Sequence, residues 1–277
     1  MIIDAETNLL YFSELLKPRA IFDKNLKRLL DKVGIQFRTL PNTKDIWSVD
    51  FMPVQVNLSK FIQFKYEPDY LQNDKFIRTQ TNTTAVCKVI GVNTVDSVIK
   101  IDGGNVIKGK QWVILTDKIF KENPDISKDE VLDELEKLFD VKVIIIPQEP
   151  GDFTGHADGI VRQYDSDTVL VNRYEPTEKK DFQKKLAKEL KNQGVKTIEI
   201  PYNPYDNVNY AMADGLYINY LQMNKFILLP TFNKKEDEIA YRQFEQLFAG
   251  QTIETIDSRE ISVDGGVLNC ITWNIKI

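Results

Sequence analysis

Apolar positions along the chain gather into short runs that return at a steady interval. They are Val33 to Thr39 (VGIQFRT), Ala85 to Gly91 (AVCKVIG), Val141 to Pro147 (VKVIIIP), Val195 to Pro201 (VKTIEIP) and Gln251 to Asp257 (QTIETID). Their first residues, 33, 85, 141, 195 and 251, are spaced by 52, 56, 54 and 56 positions. Each run is rich in Val, Ile or Thr, which predicts a strand. A helical pattern precedes most of them. Ser127-x-x-Glu130 forms a capping box ahead of Val131, Leu135 and Leu138 on one face. The segment from Thr177 repeats this with Phe182, Leu186 and Leu190, and Gly194 stops it. The segment from Glu236 does so with Phe244, Leu247 and Phe248 before Gly250. Leu26, Leu29, Leu30 and Gly34 make the first copy. The second copy is poor: Tyr66 to Thr84 contains Pro68 and many polar residues, and most of it reads as loop.

A predicted hairpin follows each run, over Asp45 to Asn57, Ser97 to Thr116, Thr154 to Asn172, Gly215 to Thr231 and Gly266 to Ile277. The unit is therefore helix, strand, strand, strand. Such units bury their apolar faces only against neighbours, and five of them could close in a ring that protects the sheet edges. An ordinary α/β sheet with coincidental spacing is the plainer alternative. No linker or low-complexity stretch divides the chain, so a single domain over residues 1–277 is expected.

Polar residues fall in register with the repeat. Asp50, Asp102, Asp158, Asp214 and Cys270 are spaced by 52, 56, 56 and 56 positions. Equivalent positions of a closed ring converge near its axis, so four acids and a thiol could share one pocket. His156 lies two residues before Asp158, which on a strand points it to the same side. Carboxylates grip a planar guanidinium through paired charge-assisted hydrogen bonds. A thiolate can attack the guanidinium carbon, and imidazole can protonate departing ammonia and then activate water.

Bulk composition narrows the field. With 36 basic and 41 acidic residues the formal charge is −5. No basic run appears, so no nucleic-acid partner is expected. No apolar run approaches the roughly 20 residues that cross a bilayer. The start, MIIDAETNLLYF, lacks a basic leader region, and with two cysteines the chain fits a reducing cytoplasm. The one histidine, His156, is the only imidazole available for chemistry.

Each of these residues also has an ordinary reading. A Cys in a C-terminal strand is usually a small buried apolar residue. A His beside Gly is often a turn residue, and Asp before Gly, as at Asp102, Asp158 and Asp214, is commonest in turns. A metal site of His156, Asp158 and a thiolate lacks a fourth ligand and a spaced Cys pair. Four ringed acids are an odd setting for cleaving a neutral amide, which weighs against a Cys–His protease. Cys87 lies outside the register and reads as core in a strand.

At these residues the sequence resembles the guanidine-modifying enzymes of the pentein fold, most closely the agmatine deiminase and bacterial-type peptidylarginine deiminase group. The resemblance runs from about Trp47 to Ile275. It is carried by Trp47-x-x-Asp50 with Pro53-Val54, Asp102-Gly103-Gly104-Asn105, Gly155-His156-Ala157-Asp158, Tyr217-Ile218-Asn219-Tyr220, and Gly265-Gly266 leading to Asn269-Cys270-Ile271-Thr272. It implies a five-bladed α/β propeller and a deiminase that turns a guanidino group and water into a ureido group and ammonia. Cys270 would form a covalent thiouronium intermediate, and His156 would be general acid and base. Asp50 and Asp158 would grip the guanidinium, Asp102 would contact the substrate and help position it, and Trp47 would be an aromatic contact. Asp214 is a further candidate for the pocket. No cofactor or metal is implied. The expected partner is a small guanidino substrate such as agmatine, or a peptidyl arginine; self-association is left open. Amidino transfer and a non-catalytic propeller that binds a macromolecule are the alternatives.

Two departures from the family pattern bear on the substrate. Val49 stands where the family often has Arg, which removes a cation near the expected pocket mouth, and Asp102 stands where it usually has Glu. The chain is also shorter than typical agmatine deiminases. A free arginine substrate would need a cation for its carboxylate. Arg162 is the nearest candidate if His156, Asp158, Ile160 and Arg162 alternate on one strand face. The expectation leans toward a substrate without a free α-carboxylate.

Overall fold

The structure, a computed structural model, describes residues 1–209 and 211–277. Its strands form five three-stranded sheets among the described residues. The first sheet pairs β1 (Leu9–Ser13) in parallel with β2 (Gln36–Leu40), and α1 (Ala20–Val33) connects them. The chain then crosses a short helix, α2 (Ser48–Phe51), and enters the second sheet of β3 (Val54–Gln55), β4 (Phe61–Lys65) and β5 (Val95–Lys100), with α3 (Thr83–Ile90) before β5. The third sheet holds β6 (Ile107–Lys108), β7 (Trp112–Thr116) and β8 (Lys142–Ile146), with α4 (Lys118–Glu122) and α5 (Lys128–Phe139) between the last two. The fourth holds β9 (Val161–Gln163), β10 (Thr168–Asn172) and, after α6 (Lys180–Asn192), β11 (Lys196–Ile200). The fifth holds β12 (Leu221–Met223), β13 (Phe226–Thr231) and, after α7 (Glu236–Leu247), β14 (Thr252–Asp257).

Every sheet has the same wiring: a leading strand antiparallel to a central one, which lies parallel to the third. The leading strand of the first sheet is supplied by the far end of the chain. There β15 (Thr272–Ile275) runs antiparallel to β1, with Leu9 opposite Ile275 and Phe12 opposite Thr272. These five units match the repeat read from the spacing, and they are the five-bladed α/β propeller that the resemblance implies.

Burial follows the wiring. Every residue of β1, β7 and β10 is buried, as their near-continuous apolar sequences LLYFS, WVILT and TVLVN require for strands covered on both faces. The third strands lie on the outside. Leu40 in β2, Ile200 in β11 and Ile256 in β14 are the buried members, and residues such as Arg38, Lys196 and Glu254 leave the edges charged. Charged edges discourage strand addition by another chain.

The predicted runs at Val33, Val141, Val195 and Gln251 lie over β2, β8, β11 and β14. The run from Ala85 to Gly91 is not a strand. It is α3, and the third strand of that blade starts at Val95. The Asn82 side chain accepts from the Ala85 amide and caps this helix, while Val86 and Cys87 face the core and Val89 is exposed. Eight residues are too few for periodicity to separate a helix from a strand, and the β-branched content favoured the wrong one. Cys87 is buried as expected, but on a helix. The segment from Tyr66 onward is loop with two single 3₁₀ turns, Asp69–Leu71 and Ile77–Thr79.

Candidate active site

The residues just ahead of the leading strands converge on one cavity of about 1100 Å³, open to solvent. Trp47, Asp50, His156, Asp158, Asp214 and Cys270 all line it. Asp50 comes from α2. His156 and Asp158 flank Ala157 at a single 3₁₀ turn (Ala157–Gly159) ahead of β9, and Cys270 lies two residues ahead of β15. His156 and Asp158 therefore do not owe their shared direction to strand alternation; the turn delivers both.

Asp102 lies behind the histidine. His156 Nε2 is 2.9 Å from Asp102 Oδ2, and Nδ1 is 3.5 Å from Asp50 Oδ1. The Gly104 amide donates to the same Asp50 oxygen at 3.1 Å. A Cβ on Gly104 would come within 2.5 Å of His156 Nδ1 and 2.6 Å of Asp50 Oδ1, so only glycine admits this approach. Gly266 does the same for the nucleophile candidate: its Cβ would lie 2.5 Å from the Trp47 ring and 3.1 Å from Cys270 Sγ.

On the other side of the cavity Asp158 Oδ2 lies 3.5 Å from Cys270 Sγ. Two asparagines fix that carboxylate, Asn269 donating at 2.6 Å and Asn219 at 3.1 Å to the same oxygen. Asn219 Oδ1 also accepts from the backbone N–H groups of Asn269 and Cys270. Asn219 stands two residues ahead of β12, as Cys270 stands two ahead of β15, so it holds the fourth inward position that the spacing assigns to Asp214. Asp214 lies on the cavity wall with its carboxylate accepting from the Ser262 hydroxyl. No hydrogen bond joins it to the other acids among the described residues. Neither asparagine was assigned a role from the sequence, although both stand inside the family-like motifs.

Arg162 and Val49 correct the expectation about the far end of the substrate. Arg162 is buried, pairs with Asp4 at 2.8 Å and stacks against the Tyr220 ring with its guanidinium carbon 4.8 Å from the centroid. Together with Val49, Asp4 and Lys108 it lines a separate small cavity. Neither residue is at the mouth of the large cavity, because the 3₁₀ turn breaks the alternation that would have aligned Arg162 with His156. The large cavity is also lined by the acids Asp45, Glu149, Asp152 and Asp264. The lysine in its lining, Lys179, is paired with Glu149.

The electrostatics are those of a cation site. Burial pushes Asp50 up to about 8; the His156 charge opposes this, and Asp102 and Asp158 add to it. Burial alone would lower His156, but Asp50, Asp102 and Asp158 together carry it up to about 10. Burial, with the charges of Asp158 and Asp50, lifts the Cys270 thiol well above its ordinary range. A positively charged guest would reverse the last two effects by offsetting the carboxylates. Among the described residues no cluster of three or more His, Cys, Asp or Glu could hold a metal ion, and no helix is long and apolar enough to cross a membrane.

Known proteins share this architecture. The agmatine deiminase of C. jejuni superposes with a TM-score of 0.80 at 18% identity, over 99% of this chain and 94% of that one. DDAH from Pseudomonas aeruginosa, in a mutant complexed with citrulline, does so at 0.59 and 12%, over 97% of this chain and 99% of that one. In sequence, a Mycoplasma mycoides protein provisionally named agmatine deiminase is 23% identical over 219 residues, 68% of this chain and 60% of its own length. The chain spans about 60% of the length of the curated relatives it matches. Residues 10–275 match the model of the Porphyromonas-type peptidyl-arginine deiminases, and the chain belongs to that family.

Proposed function

We propose that the chain, as one catalytic domain over residues 1–277, hydrolyses a guanidino group to a ureido group and ammonia. The observation that supports this reading is one thiol and one imidazole on the wall of a single cavity, each within 3.5 Å of a carboxyl group. Asp50 and Asp158 take the guanidinium N–H groups, and Trp47 packs beside the nucleophile. The bound cation favours the Cys270 thiolate, the thiol proton passing to water, and the thiolate adds to the guanidinium carbon. The His156 imidazolium gives its proton to the departing nitrogen, and ammonia leaves a thiouronium on Cys270. The neutral imidazole then takes a proton from water as that water attacks. Collapse returns the thiolate and releases the ureido product, the remaining hydroxyl proton passing to water, where ammonia takes it up as ammonium. Asp102 acts on His156 and not on the substrate directly.

The substrate that fits is one without a free carboxylate. Acids outnumber cations in the cavity lining, and the cavity-lining lysine already has its partner, so a carboxylate tail would enter without a counter-ion. A guanidino amine of the agmatine type satisfies this, and a second cation would be drawn to the same acids. The test is release of ammonia and ureido product from agmatine, L-arginine and an arginyl peptide, run on wild type and Cys270→Ala. We expect kcat/KM for agmatine to exceed that for L-arginine by tenfold or more, about 1.4 kcal/mol, and Cys270→Ala to be folded and inactive. Arginine preferred by the same margin would overturn the substrate reading. Turnover by Cys270→Ala would overturn the mechanism.

A further inference from the structure

We propose that Tyr70 is a positioning residue for the site's imidazole: its phenol pins the Asp102 carboxylate that orients His156. This rests on reading His156 as the acid and base of the reaction. Tyr70 lies in the 3₁₀ turn Asp69–Leu71, in the segment between β4 and α3. Its hydroxyl donates to Asp102 Oδ2 at 2.9 Å, the oxygen that also lies 2.9 Å from His156 Nε2. The phenol oxygen is 3.5 Å from that ring nitrogen, so the three polar groups close a triangle. A carboxylate with one donor can swing about its terminal bond. Two donors converging on one oxygen remove that freedom, and with it the swing of the imidazole.

Tyr70 is itself held in place. The Lys118 ammonium lies 4.5 Å over its ring, and Phe153 meets the ring edge-on at 5.4 Å. Lys118 is buried, bonds the Thr154 carbonyl at 2.6 Å, and pairs with Asp69 at 3.2 Å and Glu122 at 3.3 Å. One ammonium thus ties the Tyr70 turn to the loop that ends in His156, two residues after Thr154. Burial and the neighbouring Asp102 and Asp50 charges raise the phenol well above its usual range, so it serves as a donor and not as a base.

The arrangement has an electrostatic consequence. The groups facing His156 are Asp50, Asp102, Asp158 and Tyr70, with Lys118 behind the phenol. By sharing Asp102 Oδ2, the phenol draws charge from the carboxylate and weakens its hold on the imidazolium. His156 then releases its proton more readily, which a group that acts as acid and next as base requires.

The test uses the fact that His156 is the only histidine. Isotope-labelled histidine gives one imidazole to follow by NMR, and the measurement does not depend on turnover or on the identity of the substrate. Tyr70→Phe keeps the ring under Lys118 and removes only the hydroxyl. We expect the His156 titration in the folded variant to move up by about half a pH unit or more. In a turnover assay kcat should fall about tenfold, with KM changed less than about threefold. An unchanged or downward titration overturns the proposal, whatever happens to kcat. Should Tyr70→Phe not accumulate as folded protein, Tyr70→Leu is read by the same titration and the same criteria. Absence of turnover in wild type would count against the deiminase reading and leave the titration result standing.

Discussion

At the scale of single residues the unusual feature is a nucleophile candidate placed among acids. Among the described residues no basic side chain is hydrogen-bonded to Cys270, and Asp158 Oδ2 lies 3.5 Å from its sulfur. Burial first, then the Asp158 and Asp50 charges, raise the Cys270 thiol well above its ordinary range. Reactivity should therefore depend on what occupies the cavity. Iodoacetamide, which is neutral, should modify Cys270 slowly at pH 7, with a rate that climbs only above the ordinary thiol range of about 8.5. A cationic amidine carrying the same leaving group should react at least about tenfold faster at pH 7, because it supplies the missing positive charge. Mass spectrometry of Cys270 against time reads both rates, and equal rates would show that the thiolate is preformed. Cys87, buried on α3, provides an internal control.

At the scale of elements the helices carry their own stop and start signals. Ser127 and Glu130 form a reciprocal box at the start of α5, Ser127 Oγ accepting from the Glu130 amide at 3.3 Å and Glu130 Oε2 accepting from the Ser127 amide at 3.1 Å. Only Val131, Leu135, Leu138 and Phe139 of this helix are buried, so its other face contributes little packing. Ser127→Ala should cost about 1 kcal/mol of unfolding free energy and leave turnover unchanged, since α5 is remote from the cavity. Urea titration at matched slope measures it. The capping box was legible in the sequence because it is local. The segment carrying Tyr70 was not: its turns are single, its spacing departs from the other blades, and no partner for the phenol lies nearer in the chain than residue 102.

At the scale of the whole molecule the two chain ends are one blade. β15 contributes Trp273 and Ile275 to the core and pairs with β1, a central strand with every residue buried. The Trp273 indole donates to the Pro53 carbonyl at 2.8 Å, joining the first and second blades. Removing residues 272–277 would expose β1 and cost roughly 3–6 kcal/mol for those two side chains alone. That is comparable with the whole stability of a typical domain, about 5–15 kcal/mol. The truncated chain should fail to give a cooperative thermal transition by circular dichroism and should elute as aggregate. A monomer melting near wild type would show that the ring does not need closure.

The sequence by itself carried the repeat, and with the family resemblance it named the candidates Asp50, Asp102, His156, Asp158 and Cys270, because spacing and residue type survive without coordinates. Tertiary structure alone decided which groups meet. It put Asp102 behind His156, gave the fourth inward position to Asn219 in place of Asp214, turned Arg162 away to Asp4, and brought Tyr70 onto Asp102. A regular interval fixes which residues reach the axis. The irregular turns just ahead of each leading strand fix the last few ångströms, and their direction follows from long-range packing that no local pattern encodes.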